Sequence, residues 1–364
     1  MYKGIKFRAY PNKSQKNLIN QTFGCCRLIY NKGLAMRSDS YKNGIKVGYN
    51  QTSAMLTLLK QQNEFSFLKE PDSVALQQAL RDLDKSYKNF FAKRAKYPKF
   101  KSKHDNYQSY RTINHRNNVR IVGKYIRLPK VGYVKIKQSM NVGYINHVTI
   151  ERTPTDKYFV IINVDFEPQH MDNAGGVIGI DVGIKEFYTD SNNRKVSNPK
   201  FLEKSMKKLI RAQRKLSRKK LGSNNRNKQR IKLAHIYEKI TNQRNDFLQK
   251  QSTMLIRENQ TICVEDLNVK GMMRNHKLAQ SIASVSWYKF FTMLKYKGEW
   301  YGNKIISVPT MYPSSQTCSC CGYKHSVVKN LNVRTWEYPK CHTKHDRDIN
   351  ASVNILRKGL DICS

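Results

Sequence analysis

The stretch NAGGVIGIDVGIKEFYTD, residues 173–190, divides the chain and sets the class of the domain downstream of it. Asn173-Ala174-Gly175-Gly176 reads as a linker, because residues this small offer little to pack. Val177–Asp181 is a short apolar run of the kind buried inside a sheet, and Phe187–Thr189 predicts a second strand. Asp181 ends the first run with Gly183 just past it, where backbone can approach a phosphate closely. The same residues also fit an ordinary turn acid, or the phosphate-binding strand of a sugar kinase or actin-like ATPase.

Downstream, strand alternates with helix, the pattern of an α/β domain. Residues 199–258 are long, helical and basic. Within 201–250 lie 16 Lys/Arg, among them Lys207, Lys208, Arg211 and Lys215, against Glu203, Glu238 and Asp246. Gly222-Ser223-Asn224-Asn225 predicts a break that turns this region into a helical hairpin. Thr261–Glu265 (TICVE) is a buried-type strand that again ends in an acid. A helix at Trp287–Gly302, a strand at Lys304–Val308 and a last helix from about Asp348 to Lys358 complete the domain.

Upstream of the linker the pattern differs. Lys3–Tyr10 alternates Ile5 and Phe7 with Lys6 and Arg8, which predicts a strand. Pro11-Asn12 ends it and caps a helix through Arg27 or beyond, with Leu18, Ile19, Phe23, Cys26 and Ile29 on one stripe. Asp72–Lys96 predicts a stronger helix. There Leu76, Leu80, Leu83, Tyr87 and Phe91 recur at the spacing of one buried face, which turns Gln77, Gln78, Arg81, Lys85 and Lys88 outward. Tyr97-Pro98-Lys99-Phe100-Lys101-Ser102-Lys103 interleaves aromatics with lysines, a pattern that stacks bases while neutralising phosphates, though plain basic loops carry it more often. Ile126–Leu128, Val134–Ile136, Val148–Arg152 and Tyr158–Phe166 predict short strands of a small antiparallel barrel. The first strand would complete that barrel, making the helices an insertion into it.

The charge of the whole chain names the partner class. It has 67 Lys+Arg against 26 Asp+Glu, a formal net charge of +41 over 364 residues. Such a surplus repels itself unless a polyanion neutralises it, and nucleic acid gains affinity from each counterion it releases. A basic ribosomal-type protein is the plainer alternative. No apolar run approaches the length of a spanning helix, and MYKGIKFRAY lacks a signal-peptide core, so no membrane is expected. In a reducing compartment, Cys318, Cys320, Cys321 and Cys341 read as metal-binding before disulfide-forming.

Three acids carry the expected chemistry: Asp181, Glu265 in Val264-Glu265-Asp266-Leu267, and one in Asp346-Arg347-Asp348. Each alone fits a strand-end acid or a helix-start acid favoured by the dipole. In a chain short of acids they mark the start, middle and end of one α/β domain. Metal-dependent nucleases need such a set, because two Mg²⁺ ions take hard oxygen ligands and clamp the reacting phosphate. Nearby, Cys318-x2-Cys321 followed by Tyr338-x2-Cys341 has the spacing of a zinc ribbon with tyrosine in the third ligand position. Cys320, His325, His342 or His345 would have to supply the fourth ligand; a ribbon that keeps its shape without metal fits equally.

IGIDVGIKEF (178–187), VEDLNVKGM (264–272), PSSQTCSCCG (313–322) and HDRDINASVNIL (345–356) together resemble TnpB, the OrfB protein of insertion sequences. KFRAYPNKSQ, GCCRLIYNKGL and YPKFKSK extend the resemblance over nearly the whole chain. It implies an RNA-guided DNA endonuclease similar to ancestors of the type V CRISPR effectors. The implied fold is multidomain α/β: a RuvC (RNase H-like) nuclease core at 171–364, with the basic hairpin 199–258 and a degenerate zinc-ribbon insertion at 313–345. Before it comes a wedge β-barrel at 1–11 and 105–170, holding a helical recognition insertion at 12–104. The implied metal ligands are Asp181, Glu265 and Asp348, the last because the family signature sets its acid two residues before an asparagine, here Asn350. The implied cofactors are two Mg²⁺ ions and a guide RNA made from the element's own end, with Zn²⁺ open because Tyr338 departs from the family cysteine. The implied target is double-stranded DNA, with Gln77, Gln78, Thr112 and Asn114 as candidate duplex readers. The expected location is prokaryotic cytoplasm, at the nucleoid. Two other readings share the motifs: a cleavage-deficient RNA-guided DNA-binding repressor, which would lose the acids this chain keeps, and a strand-transferring transposase.

Overall fold

The computed structural model describes residues 1–363 except Asn106, Asn141, Gln169, His170, Asn173, Leu331 and Asn332, and leaves out the side chain of Lys329. Asn173 of the expected linker and His170, the last residue of the expected barrel, therefore lie outside the described residues. The chain forms two compact units, Met1–Glu167 and Pro168–Ser364.

In the first unit, β1 (Tyr2–Tyr10) is followed by α1 (Lys13–Lys42), α2 (Tyr49–Gln61) and α3 (Ser73–Phe91), with a 3-10 turn at Asn63–Lys69. Then come β2 (Gln108–Ile113), β3 (Arg120–Val122), β4 (Tyr125–Leu128), β5 (Gly132–Lys137), β6 (Ile145–Arg152) and β7 (Tyr158–Asp165). The seven strands form one antiparallel sheet in the order β2-β6-β7-β1-β5-β4-β3, with Phe7 opposite Val160. Alternation buries Phe7 and Ala9 and leaves Tyr10 outside, as a half-buried strand requires. Pro11 follows β1, and Asn12 caps α1 through a reciprocal pair: Asn12 Oδ1 accepts from Gln15 N at 2.9 Å, and Gln15 Oε1 accepts from Asn12 N at 3.0 Å. α3 lies so close to α1 that a Cβ on Gly33 would come within 2.9 Å of Leu80.

The structure corrects the reading of α3 in three places. The helix ends at Phe91, not Lys96, because Lys93 takes a left-handed φ of 55°. Phe91 is exposed rather than part of the buried face. Gln78 is buried rather than turned outward.

The second unit contains β8 (Gly176–Val182), β9 (Glu186–Asp190), β10 (Lys195–Ser197), α4 (Phe201–Ser217), α5 (Asn224–Glu258), β11 (Asn259–Glu265), α6 (Val269–Met272), α7 (His276–Val285), α8 (Trp287–Tyr301) and β12 (Lys304–Val308). A small hairpin, β13 (Thr335–Glu337) and β14 (Lys344–Asp346), leads into α9 (Arg347–Cys363). The main sheet has the order β10-β9-β8-β11-β12: β9 is antiparallel to both neighbours, whereas β8, β11 and β12 are parallel. One core joins Ile178, Ile180, Ile262 and Val264 of the strands to Leu248 and Leu255 of α5 and Phe290 and Leu294 of α8. Across the sheet, α9 seats Ile355 with Cys263, Ile306 and Val308. That contact depends on Gly179 and Gly359, whose missing side chains leave room for the α9 backbone and for Cys263. None of the described helices is long and apolar enough to cross a membrane.

Candidate active site and cysteine cluster

Parallel pairing brings two of the expected acids to one edge. Val264 of β11 is in register with Ile180 of β8, so Asp181 and Glu265, each next along its strand, emerge side by side at the carboxyl end of the sheet. Brought against β8 by the contact at Gly179, α9 offers Asp348 from its first turn. Electrostatics record the convergence. Burial first, then the charges of Glu265 and Asp348, hold the Asp181 carboxyl well above the ordinary aspartate range, with Arg347 and Arg334 pulling the other way. Burial also raises Glu265, opposed by a hydrogen bond that the Ser314 hydroxyl donates to its Oε1 at 2.6 Å.

Asp346 and Asp348 are separated by their partners. Asp346 pairs with Lys195 at 2.7 Å and accepts the backbone N–H groups of Asp348 and Ile349, at 3.1 and 3.2 Å. Burial works against its charge, but those contacts win and hold its carboxyl below the usual range. It is spent on capping α9. Asp348 forms an ion pair with Arg334 at 3.3 Å. The oxygens of Asp181, Glu265 and Asp348 are not all within 4.8 Å of one another. Hard oxygen donors, partly buried and mutually repelling, fit divalent cations. Ser314 and Arg334 were not legible as site residues. Ser314 sits in Pro313-Ser314-Ser315-Gln316, but nothing in its spacing assigns it to Glu265.

The cysteine segment forms a second cluster. Cys318, Cys321 and Cys341 hold their sulfurs within 4.8 Å of one another, the one such His/Cys/Asp/Glu group among the described residues. Cys318 Sγ lies 3.6 Å from Cys341 Sγ and 3.3 Å from His345 Nε2. Hydrogen bonding from Thr343 pulls the Cys341 thiol down to about 7. Tyr338 is fully buried beside the cluster. Cys320 is exposed, and His342, also exposed, pairs with Glu337 at 3.1 Å.

The candidate nucleic-acid residues divide. Gln77 and Lys99 are exposed, whereas Gln78, Thr112 and Asn114 are buried. The Thr112 hydroxyl bonds to the carboxylate of Asp72, the α3 cap; Asn114 donates to Ile145 O at 2.8 Å and accepts from Val119 N at 3.0 Å. Tyr97 meets Tyr87 and Phe90 edge-on and shares its hydroxyl with Ser38 and Tyr87. The Lys101 ammonium lies 4.1 Å from the Tyr30 ring. Both are tied into the fold. On the hairpin α4–α5, Lys207, Lys208, Arg211, Arg214 and Lys215 are all exposed.

A family model described as "Probable transposase" matches residues 158–276, one described as "Cas12f1-like, TNB domain" matches 287–355, and one described as "Helix-turn-helix domain" matches 1–46. In the last, the structure has one strand and a single helix running through Lys42. Relatives from Streptomyces pristinaespiralis and Escherichia coli (strain K12) carry the name "Putative RNA-guided DNA endonuclease", the second with the designation InsQ. The first is 38% identical over 98% of this chain and 89% of its own length; the second is 31% identical over 98% and 92%. Among solved structures, the fold is similar to the "Cryo-EM structure of the Cas12f1-sgRNA-target DNA complex", with a TM-score of 0.60 at 12% identity over 98% of each chain. The chain belongs to the TnpB (OrfB) family of insertion sequences, to which the type V CRISPR effectors are related.

Proposed function

We propose that this protein is an RNA-guided DNA endonuclease of an insertion sequence, cutting DNA by metal-assisted hydrolysis at Asp181, Glu265 and Asp348. The observation that carries the reading is the buried Asp181 carboxyl, held well above the ordinary aspartate range by burial and by the charges of Glu265 and Asp348, at the carboxyl end of β8 beside the parallel β11, in a chain of formal net charge +41. The sheet order, an antiparallel β8–β9–β10 meander joined to parallel β11 and β12, supports a RuvC (RNase H-like) core. The helices placed between β1 and the rest of its sheet support a wedge with a helical recognition insertion.

Asp181, Glu265 and Asp348 would hold two Mg²⁺ ions, which when bound activate a water and stabilise the leaving 3′ oxygen. The chain's own residues orient that set. Ser314 fixes the rotamer of Glu265, Asp346 fixes the first turn of α9, and Arg334 holds Asp348 while adding positive charge where a phosphate would approach. The exposed bases of α4–α5 suit the backbones of a guide RNA and a DNA duplex.

The test is cleavage by the protein purified with its co-expressed RNA. After sequencing that RNA, linear DNA matching it is incubated with Mg²⁺. Guide-matched cutting that disappears in Asp181→Ala is expected. Cutting that survives Asp181→Ala would overturn the site, and guide-dependent binding without any cutting would overturn the nuclease in favour of a repressor.

A further inference from the structure

The ribbon has lost one cysteine at Tyr338, yet its remaining sulfurs keep a metal geometry. Tetrahedral zinc with sulfur at about 2.3 Å sets its ligand sulfurs about 3.8 Å apart. Cys318 and Cys341 stand at 3.6 Å. The Cys320 backbone N–H donates to Cys318 Sγ at 3.4 Å, the kind of bond that stabilises a thiolate. Three sulfurs still need a fourth donor.

Two side chains lie against the cysteine cluster. Tyr338 brings a buried hydroxyl, but a phenol must give up its proton to bind metal. His345 brings an imidazole, which binds in its neutral form and is a common zinc ligand. Its Nε2 lies 3.3 Å from Cys318 Sγ, against about 3.5 Å expected between a sulfur and a nitrogen on one zinc. The ring is not yet within 4.8 Å of all three sulfurs, so a turn about its side-chain bonds is needed. The Tyr338 ring packs edge-on against both His345, at 5.2 Å between centroids, and Trp336, at 5.6 Å. It fills the volume behind the imidazole.

We propose that one Zn²⁺ ion is held by Cys318, Cys321, Cys341 and His345, and that this rebuilt site braces the start of α9. His345 lies on β14, directly before the Asp346 that caps α9. The other arm of the cluster is pinned to the same helix: Ser319 N donates to Asn350 Oδ1 at 2.8 Å, and Asn350 and Asn354 donate back to Thr317 O at 2.8 and 2.6 Å. An ion joining Cys318 to His345 therefore closes a ring of contacts around the turn that carries Asp348. Tyr338 is a packing residue in this arrangement.

The experiment measures metal, not cutting, so it stands apart from the nuclease reading. The full chain is expressed with zinc, dialysed against weak chelator and its metal content determined. About one zinc per chain is expected in the parent and in Tyr338→Phe, and less than about a third in His345→Ala and Cys318→Ser. Loss in Tyr338→Phe with retention in His345→Ala would assign the fourth position to tyrosine and overturn the proposal. So would a metal-free parent. In case a variant misfolds, cobalt substitution of the parent gives an independent readout. Tetrahedral d–d bands with the pattern of three sulfurs and one nitrogen are expected, and an octahedral spectrum overturns the site.

Discussion

Gly179 on β8 lies against the backbone of Ser352 and Leu356 on α9, with no room between them for even a Cβ atom. This contact sets the depth at which α9 meets the sheet, and so where Asp348 stands relative to Asp181. A Gly179→Ala substitution forces the helix outward. Overpacking of this kind costs about 1–3 kcal/mol, read as a lower midpoint in denaturant unfolding. Guide-matched cutting should fall with it, because the displaced group is Asp348. An unchanged midpoint would show that the helix is not seated this way.

The strained charge at Asp181 makes a prediction of opposite sign. A group whose folded pKa lies above its unfolded one binds more protons when folded. Metal-free stability therefore falls as pH rises from the ordinary aspartate range through the raised value of Asp181. Asp181→Asn removes that charge. In chelator at neutral pH it should melt higher than the parent and lose less stability between acid and neutral pH, while cutting is abolished. Mg²⁺ at about a hundred times its Kd should then stabilise the parent by about 2.7 kcal/mol and the variant far less. Equal responses to Mg²⁺ would place the ion elsewhere.

Ser314 is a test of orientation. Its hydroxyl is the hydrogen-bond donor to Glu265, at 2.6 Å. Ser314→Ala leaves the carboxylate in place but free to rotate, and partners of metal ligands typically matter by about 10–100-fold in metal affinity or activity. The expected result is a rise in the Mg²⁺ concentration needed for half-maximal cutting, with unfolding little changed. Full activity at low Mg²⁺ would remove Ser314 from the site.

Thr112 separates a structural role from a reading role. Its hydroxyl bonds to Asp72, which caps α3. Thr112→Val should destabilise the first unit by about 1–3 kcal/mol, the cost of a buried polar group left unpaired, and leave the DNA sequence preference as it was. A changed preference in a stable variant would restore Thr112 as a reader.

The basic hairpin predicts a salt effect. Replacing Lys207, Lys208 and Arg211 with alanine removes three exposed charges from α4. If each neutralises one phosphate, the slope of log affinity against log salt should flatten by roughly 2–3 for RNA or duplex. An unchanged slope would place the nucleic acid on another face.

Local pattern makes much of the fold legible. Val177–Asp181, Thr261–Glu265 and Lys304–Val308 read as strands because continuous apolar runs of that length have few other fates. They appear as the parallel core β8, β11 and β12. The weakly patterned elements do not announce themselves: β3 and β10 are three residues each, and α2 buries only Thr52, Leu56 and Leu59. Nor does β2, which packs against α3, or the burial of Gln78 on the polar side of the stripe.

For the site, the sequence alone determined which acids end strands or open a helix, how basic the chain is, and that a tyrosine stands at one ligand position of the ribbon spacing. These are properties of a residue and its near neighbours, and hydrophobic periodicity expresses them locally. Tertiary structure alone decided that Asp346 caps α9, that Ser314 serves Glu265, that His345 reaches Cys318, and that Thr112 and Asn114 face inward. The reason is physical. A buried polar group must find a partner, and that partner comes from whichever distant segment the packed core brings within hydrogen-bond reach.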